Sequence, residues 1–356
     1  MNGGRIFAIA ARKFASLRRD KRLLGFIVIM PAIQILLFGI AIGQPPTGLD
    51  FAVVDNGPEG MGEVVIEELG ASESILLHTD YSDISVAESE IVSGGLWGAL
   101  HIHPNGTAEL LLDNSNQQVT QTIIVEVRDA ITEAMQAQGG SLPLEIADPV
   151  YGDKDPAFID FLAPGIMTMV CFMFSLILTT MAFVGERYDG TLDRVFAAGT
   201  KPSEVLLGHL AAFTTILVGQ VTVVILIATY GFDITIEGGV WLLFALGMLL
   251  GWSAMCFGLF VSSKANSEFQ AMQLNMPVMF PVLLLSGILW PVQALPSWLQ
   301  PIAWMMPTTW TAEAFRSIMI RGWGLEDRGI QLAFLFNAAF AVFALFIASR
   351  SLKVRE

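Results

Sequence analysis

Apolar positions in this chain gather in long unbroken runs. Residues 23–43, 160–184, 205–230, 239–262, 271–290 and 331–350 are each long and oily enough to cross a hydrocarbon core about 30 Å thick. A backbone in lipid finds no water to bond, so each run is expected as a helix. Between the first two runs the pattern changes. FAVVDN (51–56), SILLHT (74–79), LWGALHIH (96–103) and TAELLLDN (107–114) read as short strands, with PNG (104–106) as a hairpin turn. GEVVIEELG (62–70), DISVAESEIVSG (83–94) and QQVTQTIIVEVRDAITEAMQAQ (117–138) carry helical periodicity. Strands alternating with helices predict a compact α/β domain. The expected fold is thus an α-helical polytopic membrane protein of six transmembrane helices, with a small α/β extracytoplasmic domain inserted over residues 44–158.

Composition agrees. Of 356 residues 54% are hydrophobic and only 15% charged, against about 25% charged in soluble domains. The charge is unevenly placed. Residues 44–158 hold 20 Asp/Glu and 2 Lys/Arg, whereas the rest holds 13 and 17. Ahead of the first run stand Arg5, Arg12, Lys13, Arg18, Arg19, Lys21 and Arg22 against a single Asp20. The positive-inside rule then places both termini in the cytoplasm and the acidic insert outside. The first run is full span length and its basic flank is long, so it reads as an anchor rather than a removable signal. Acidity with so little lysine suggests a saline habitat, where charge repulsion is screened. Residues 1–22 read as an amphipathic helix, with Ile6, Phe7, Ile9, Ala10, Phe14 and Leu17 on a broad apolar side and the basic groups against anionic headgroups.

Candidate chemistry is sparse. There is no G-x-x-x-x-G-K-[ST], no G-x-S-x-G and no H-E-x-x-H. The spans carry almost no ionisable residue: Asp160 is at an outer end and His209 near an inner one. That argues against an ion-coupled carrier. Gln34, near the middle of the first span, is either a substrate contact or an interhelical hydrogen bond. The second and fifth spans are rich in adaptable Met and Phe, among them Met169, Phe172, Met173, Met276, Met279 and Phe280. Either they meet varied apolar ligands or they pack ordinarily. Cys171 and Cys256 read as small apolar packers. His101 and His103 share a strand face without a Cys/His cluster nearby, so no metal site is expected. Asn105-Gly106-Thr107 is a glycosylation sequon.

One connection is anomalous. GERYDGTLDRVFAAGTKPSEVLLG (185–208) carries seven charges between two oily runs. Leu192, Val195 and Phe196 fall on one face of a short helix, expected over 186–199, that Gly199 ends. Ser203 is placed to cap the next helix, with Glu204 in its first turn. An apolar face on so short a segment calls for a partner. Residues 291–322, broken by Pro291, Pro296, Pro301 and Pro307, read as two short re-entrant or interfacial helices. Glu313 and Arg316 are spaced to pair there.

The segment 185–209 resembles the E-R-x-x-G-T-L-x-x-L stretch of membrane subunits of ABC-2-type transporters. The matching positions are Glu186, Arg187, Gly190, Thr191 and Leu192, with Val195 or Phe196 in place of the second leucine. FLAPGIM (161–167) and the proline- and tryptophan-rich 283–322 are similar as well. The resemblance implies a coupling helix that seats Glu186, Arg187, Gly190, Thr191, Leu192, Arg194, Val195 and Phe196 in a cleft of a cytoplasmic ATPase. Arg187, Arg194 and Lys201 would face acidic groups there. It implies that the Met- and Phe-rich spans line a dimer interface and translocation path, and that residues 1–22 form an elbow helix. Two copies of the chain would pair with two ATPase subunits. Those subunits bind ATP and magnesium and do the hydrolysis; this chain is no enzyme and holds no cofactor. The cargo would be an amphipathic or hydrophobic drug, peptide or lipid, exported across the plasma membrane. Lipids are further partners, as is an outer accessory protein. The alternatives are a sodium-exporting permease and a non-transporting receptor or scaffold.

Overall fold

The structure is a computed structural model and describes residues 2–19, 25, 29–37, 46–57, 61–113, 117–137 and 158–351. The chain divides into two compact units, one of Gln44–Val150 and one of Met1–Gly43 with Tyr151–Glu356.

The smaller unit is an α/β sandwich. Strands β1 (Leu49–Asp55), β2 (Ile75–His78), β3 (Gly98–Ile102) and β4 (Ala108–Leu112) form one sheet in the order β2-β1-β3-β4. β1 runs parallel to β2 and β3, and β4 returns antiparallel to β3. Central β1 is covered on both faces, so its sequence reads as a continuous apolar run rather than an alternation. Helices α2 (Met61–Ala71) and α4 (Gln117–Ala137) pack on the face carrying Phe51, Val53 and Leu100. Helix α3 (Ile84–Ser93) packs on the opposite face against Ala52, Val54 and Ala99. Asp83 caps α3 by accepting from Ser85 N, and left-handed Gly94 closes it. All four strands and three helices expected from the sequence are present, with ends shifted by two residues or fewer.

The larger unit is helical. Basic α1 (Gly3–Arg19) precedes a helical stretch at 29–37. Then follow α5 (Phe158–Tyr188), short α6 (Thr191–Ala197), α7 (Pro202–Gly231), α8 (Val240–Ser262), α9 (Glu268–Leu285), a 3₁₀ turn at Val292–Ala294, α10 (Gln300–Trp304), α11 (Pro307–Arg321) and α12 (Arg328–Ser351). Among the described residues four helices, α5, α7, α8 and α12, are long and apolar enough to cross a membrane. The expected first span, 23–43, lies mostly outside the described residues. The expected fifth span is shorter than read: α9 ends at Leu285 and begins with polar Glu268, Gln270 and Gln273.

α5 is central, packed by α7, α8, α9 and α11. It comes close to its neighbours' backbones where glycine allows. A Cβ at Gly258 of α8 would meet Leu176 O at 2.8 Å, and one at Gly165 of α5 would meet Ile288 O at 2.6 Å. Residues 291–321, read as two short re-entrant or interfacial helices, hold the two helices α10 and α11 after the 3₁₀ turn. α11 is a core helix whose Thr308, Thr309, Thr311, Phe315 and Ile318 are buried. Two of its hydroxyls are answered internally: Asn337 of α12 donates to Thr311 Oγ1 at 2.9 Å, and Ser286 and Thr308 share a hydrogen bond. Arg316 does pair with Glu313 at 2.9 Å, but it also donates to Gly287 O and lies over the Phe161 ring.

Candidate functional site

The anomalous connection links α5 to α7 through α6 and meets α1, α8 and α12 at one end of the helical unit. α5 runs on through Glu186 and Arg187 to Tyr188, so these two residues close the long helix rather than open the short one expected over 186–199. Gly190, at φ 66°, turns the chain. That left-handed conformation suits glycine, which has no Cβ to clash. α6 then covers only Thr191–Ala197.

The apolar face of α6 is already taken. Leu192 is 2% exposed and packs with Ile9 of α1, Phe183 of α5, Val205 and Leu206 of α7, Leu259 of α8 and Ala348 of α12; Val195 and Phe196 lean on the same cluster. This corrects the expectation that the face awaits a partner. It is the hydrophobic seat of α6 in its own chain.

Glu186 is likewise turned inward. Lys13 Nζ of α1 lies 2.6 Å from its Oε1. Arg12 and His209 Nε2 approach its Oε2 at 3.0 and 2.9 Å. His209 is fully buried, with Nδ1 2.8 Å from Val205 O and its ring edge-on to Phe183. Both ring nitrogens thus lie beside oxygen atoms, one of the backbone and one of Glu186. Arg187 donates to Ser262 O and Ala265 O, tying off the end of α8. Within its own chain it acts as a clamp between α5 and α8.

α1 is fixed by the same end. Ile9, Lys13 and Leu17, spaced four apart, form its buried stripe, and a Cβ at Gly208 of α7 would fall 2.7 Å from Ile9 Cγ2. Phe7 and Phe14 point outward, so the broad apolar side divides into an inner stripe and an outer pair. Buried Glu204 accepts from Asn2 N at 2.6 Å and from Lys201 N at 3.1 Å. Arg5 donates to Gly199 O at 2.5 Å. The cap of α7 is Lys201, with Pro202 as first helical residue, and not Ser203. What remains exposed around α6 is Tyr188, Asp189, Asp193, Arg194, Ala197–Gly199 and Lys201.

The Met- and Phe-rich residues do not converge within one chain. Met169, Phe172 and Met173 are buried in the core. Met276 and Phe280 are about 60% exposed, with Met279 half-buried between them. Gln34 is half-buried on the 29–37 helix. A small cavity between Ile35, Ala163, Ile166, Met167, Ala228 and Phe232 holds about 10 Å³, room for one water at most. Asn105 is exposed in the β3–β4 turn, where its Oδ1 accepts from Thr107 N and Oγ1.

Glu204 is in the first turn of α7 as expected, whereas the inward role of Lys13 was missed. Lys13 did leave a signal, as the one charge in an apolar i, i+4, i+8 stripe.

A family profile described as ABC-2 family transporter protein matches residues 21–350. The chain belongs to the ABC-2 transporter family. It is 35% identical to ABC transporter G family member 20 of Dictyostelium discoideum over 98% of this chain and 50% of that one. It is 29% identical to member 23 of the same organism over 96% and 52%. The chain thus spans about half the length of these curated relatives. It is also 22% identical to the probable multidrug ABC transporter permease YbhR of Escherichia coli (strain K12), over 90% of this chain and 91% of that one. With its apolar helices, this ABC-2 permease is a membrane protein.

Proposed function

We propose that the chain is the transmembrane subunit of an ATP-driven exporter that moves amphipathic or hydrophobic compounds out of the cytoplasm or the inner leaflet. Hydrolysis takes place on ATPase subunits, two of which serve a pair of these chains. The observation that carries the reading is the mounting of α6. Its apolar side is seated on α1, α5, α7, α8 and α12, and Glu186 and Arg187 fasten the adjoining end of α5. A push on the exposed rim of Tyr188, Asp189, Asp193 and Arg194 is therefore passed to the long helices rather than absorbed by a loose loop. The basic groups of α1, Arg194 and Lys201 gather at this end, which suits the cytoplasmic side. The acidic α/β unit is then extracytoplasmic, and six spans cross the membrane.

The test is co-purification from native membranes in mild detergent. The parent chain is compared with a variant carrying Tyr188→Ala, Asp193→Lys and Arg194→Glu, all on exposed positions. The expected result is a P-loop ATPase that accompanies the parent, is lost from the variant at unchanged melting temperature, and is stimulated by amphiphiles. Retention of the ATPase by the variant would remove the rim from coupling. A parent free of any ATPase, in membranes that express one, would favour a receptor. Stimulation by sodium alone would favour a sodium exporter.

A further inference from the structure

The α/β unit carries a cluster that the transport reading does not use. His101 lies on β3, two residues beyond Ala99 and on the same α3-covered face. Antiparallel pairing sets Glu109 of β4 directly opposite His101. His103 follows on the same side, its ring centroid 4.0 Å from that of His101. One ring nitrogen of each histidine and one carboxylate oxygen of Glu109 lie within 4.8 Å of one another. His103 Nε2 and Glu109 Oε2 are 3.3 Å apart. Ligands at about 2.0–2.1 Å from a tetrahedral zinc ion stand roughly 3.3–3.4 Å from each other, so this separation is already a coordination edge.

The surroundings support the same reading. In a sheet ordered β2-β1-β3-β4, the chain leaves β1 for α2 on one face and returns through α3 on the other, so β1 and β3 flank the switch point. Open α/β sheets bind ligands outside the carboxyl ends of the strands at that place. His101 and His103 are at the carboxyl end of β3. The hairpin fixes the third donor: His103 N bonds Thr107 O at 2.8 Å, and Gly106 at φ 80° makes the turn. The strong acidity of residues 44–158 raises the local concentration of cations.

We propose that His101, His103 and Glu109 form a binding site for a zinc-class divalent transition-metal ion on the α/β unit. Two imidazoles and a carboxylate leave the fourth tetrahedral position to water or an exogenous ligand. The metal links β3 to β4 across the hairpin, so loading stiffens residues 98–112. The function class added to the permease is metal-dependent ordering of its extracytoplasmic unit.

The test uses the full chain purified in detergent without a histidine tag and stripped with a chelator. Zinc affinity is read by competition with a chromophoric chelator, and cobalt(II) serves as the spectroscopic probe. One equivalent of zinc per chain is expected, with the intense visible bands of tetrahedral cobalt. His103→Ala or Glu109→Gln is expected to weaken binding at least ~10-fold, and His101→Ala with His103→Ala to abolish it. His78→Ala, elsewhere in the sheet, should leave it unchanged. Zinc should slow amide exchange over residues 98–112 in the parent and not in the double variant. The cluster side chains are half-buried or exposed, so apo melting should match the parent. Absence of a stoichiometric equivalent in the parent, or equal affinity in the double variant, would overturn the proposal.

Discussion

Lys13 Nζ and Glu186 Oε1 meet at 2.6 Å although 173 residues separate them. Both side chains are largely withdrawn from water, at 9% and 12% exposure. The pair binds the basic first helix to the end of the central one. Arg12 and His209 converge on the same carboxylate, and the negative charge of Glu186 is what compensates the buried Lys13 ammonium. Removing one partner of a buried pair leaves the others uncompensated, at a cost of about 3–5 kcal/mol. Glu186→Ala should therefore lower the melting temperature of the detergent-solubilised chain far more than Arg194→Ala on the exposed side of α6. Replacing the pair together, by Lys13→Met with Glu186→Leu, should recover part of the loss. Equal melting of Glu186→Ala and the parent would show that the hub is dispensable.

Gly208 marks where α1 crosses α7. A methyl group there would meet Ile9 Cγ2 at 2.7 Å, Ile9 Cβ at 2.8 Å and Ile6 O at 3.1 Å. Two of these atoms are part of or next to the α1 backbone, so the helix must move rather than a side chain swing. Overpacking of this kind costs about 1–3 kcal/mol. Gly208→Ala should loosen α1 selectively, which limited trypsin cleavage at Arg12 and Lys13 would read as a several-fold faster cut. Gly219→Ala, with open space around its Cβ position, is the control. Unchanged cleavage in Gly208→Ala would mean that the crossing is not tight.

These residues also show where the sequence speaks and where it is silent. The strands of the α/β unit are legible because each is a short β-branched run bounded by turn residues, and local pattern decides them. The long helices are legible by length and hydropathy alone. The seat of α6 is not: Leu192, Val195 and Phe196 announce an apolar face, but whether it meets a partner or Ile9, Phe183 and Leu259 depends on contacts far apart in the chain. The same holds for Glu186, which is charged like a surface residue and is enclosed by Lys13, Arg12 and His209 from other helices. Ser203 is a good cap by type, yet Pro202 beside it prefers the first helical position, and the cap moves to Lys201. Glu109 is invisible next to His101 until the β3–β4 register puts them opposite each other.

The acidity of the smaller unit has a measurable consequence at Glu68 of α2. Its carboxyl is raised from the ordinary value of 4.5, first by a hydrogen bond with Glu133 of α4 and then by that neighbour's charge, with desolvation and Glu67 adding to it. A raised acid binds protons more tightly folded than unfolded. Stability in this group's window therefore falls as pH climbs from about its ordinary value through the raised one, and stays lower above it. Salt screens the repulsion. Amide protection in residues 61–71 and 117–137 of the full chain, corrected for the intrinsic exchange rate, should accordingly rise on acidification or on raising salt from about 0.1 M to about 2 M. Glu68→Gln should be less salt-sensitive than the parent. Faster exchange at high salt would contradict the assignment.

The last prediction concerns which Met and Phe residues a ligand or second copy can reach. Met169 and Phe172 of α5 are 1% and 2% exposed, whereas Met276 and Phe280 on the outer side of α9 are 61% and 58% exposed. Phe269 and Met272 extend the same exposed stripe toward the start of α9. If the pathway is completed between two copies, the reachable wall is α9 and not the methionine face of α5. The chain offers a clean background for testing this, because Cys171 and Cys256 are both buried. A membrane-permeant maleimide should modify Met276→Cys and Phe280→Cys variants at least about tenfold faster than Met169→Cys and Phe172→Cys, in line with the difference between exposed and core thiols. A short bifunctional thiol reagent should join two copies through Met276→Cys in native membranes. Equal rates at 172 and 276 would instead place an open path along α5 inside the single chain, and the close packing of that helix against α8 and α11 would have to yield during transport.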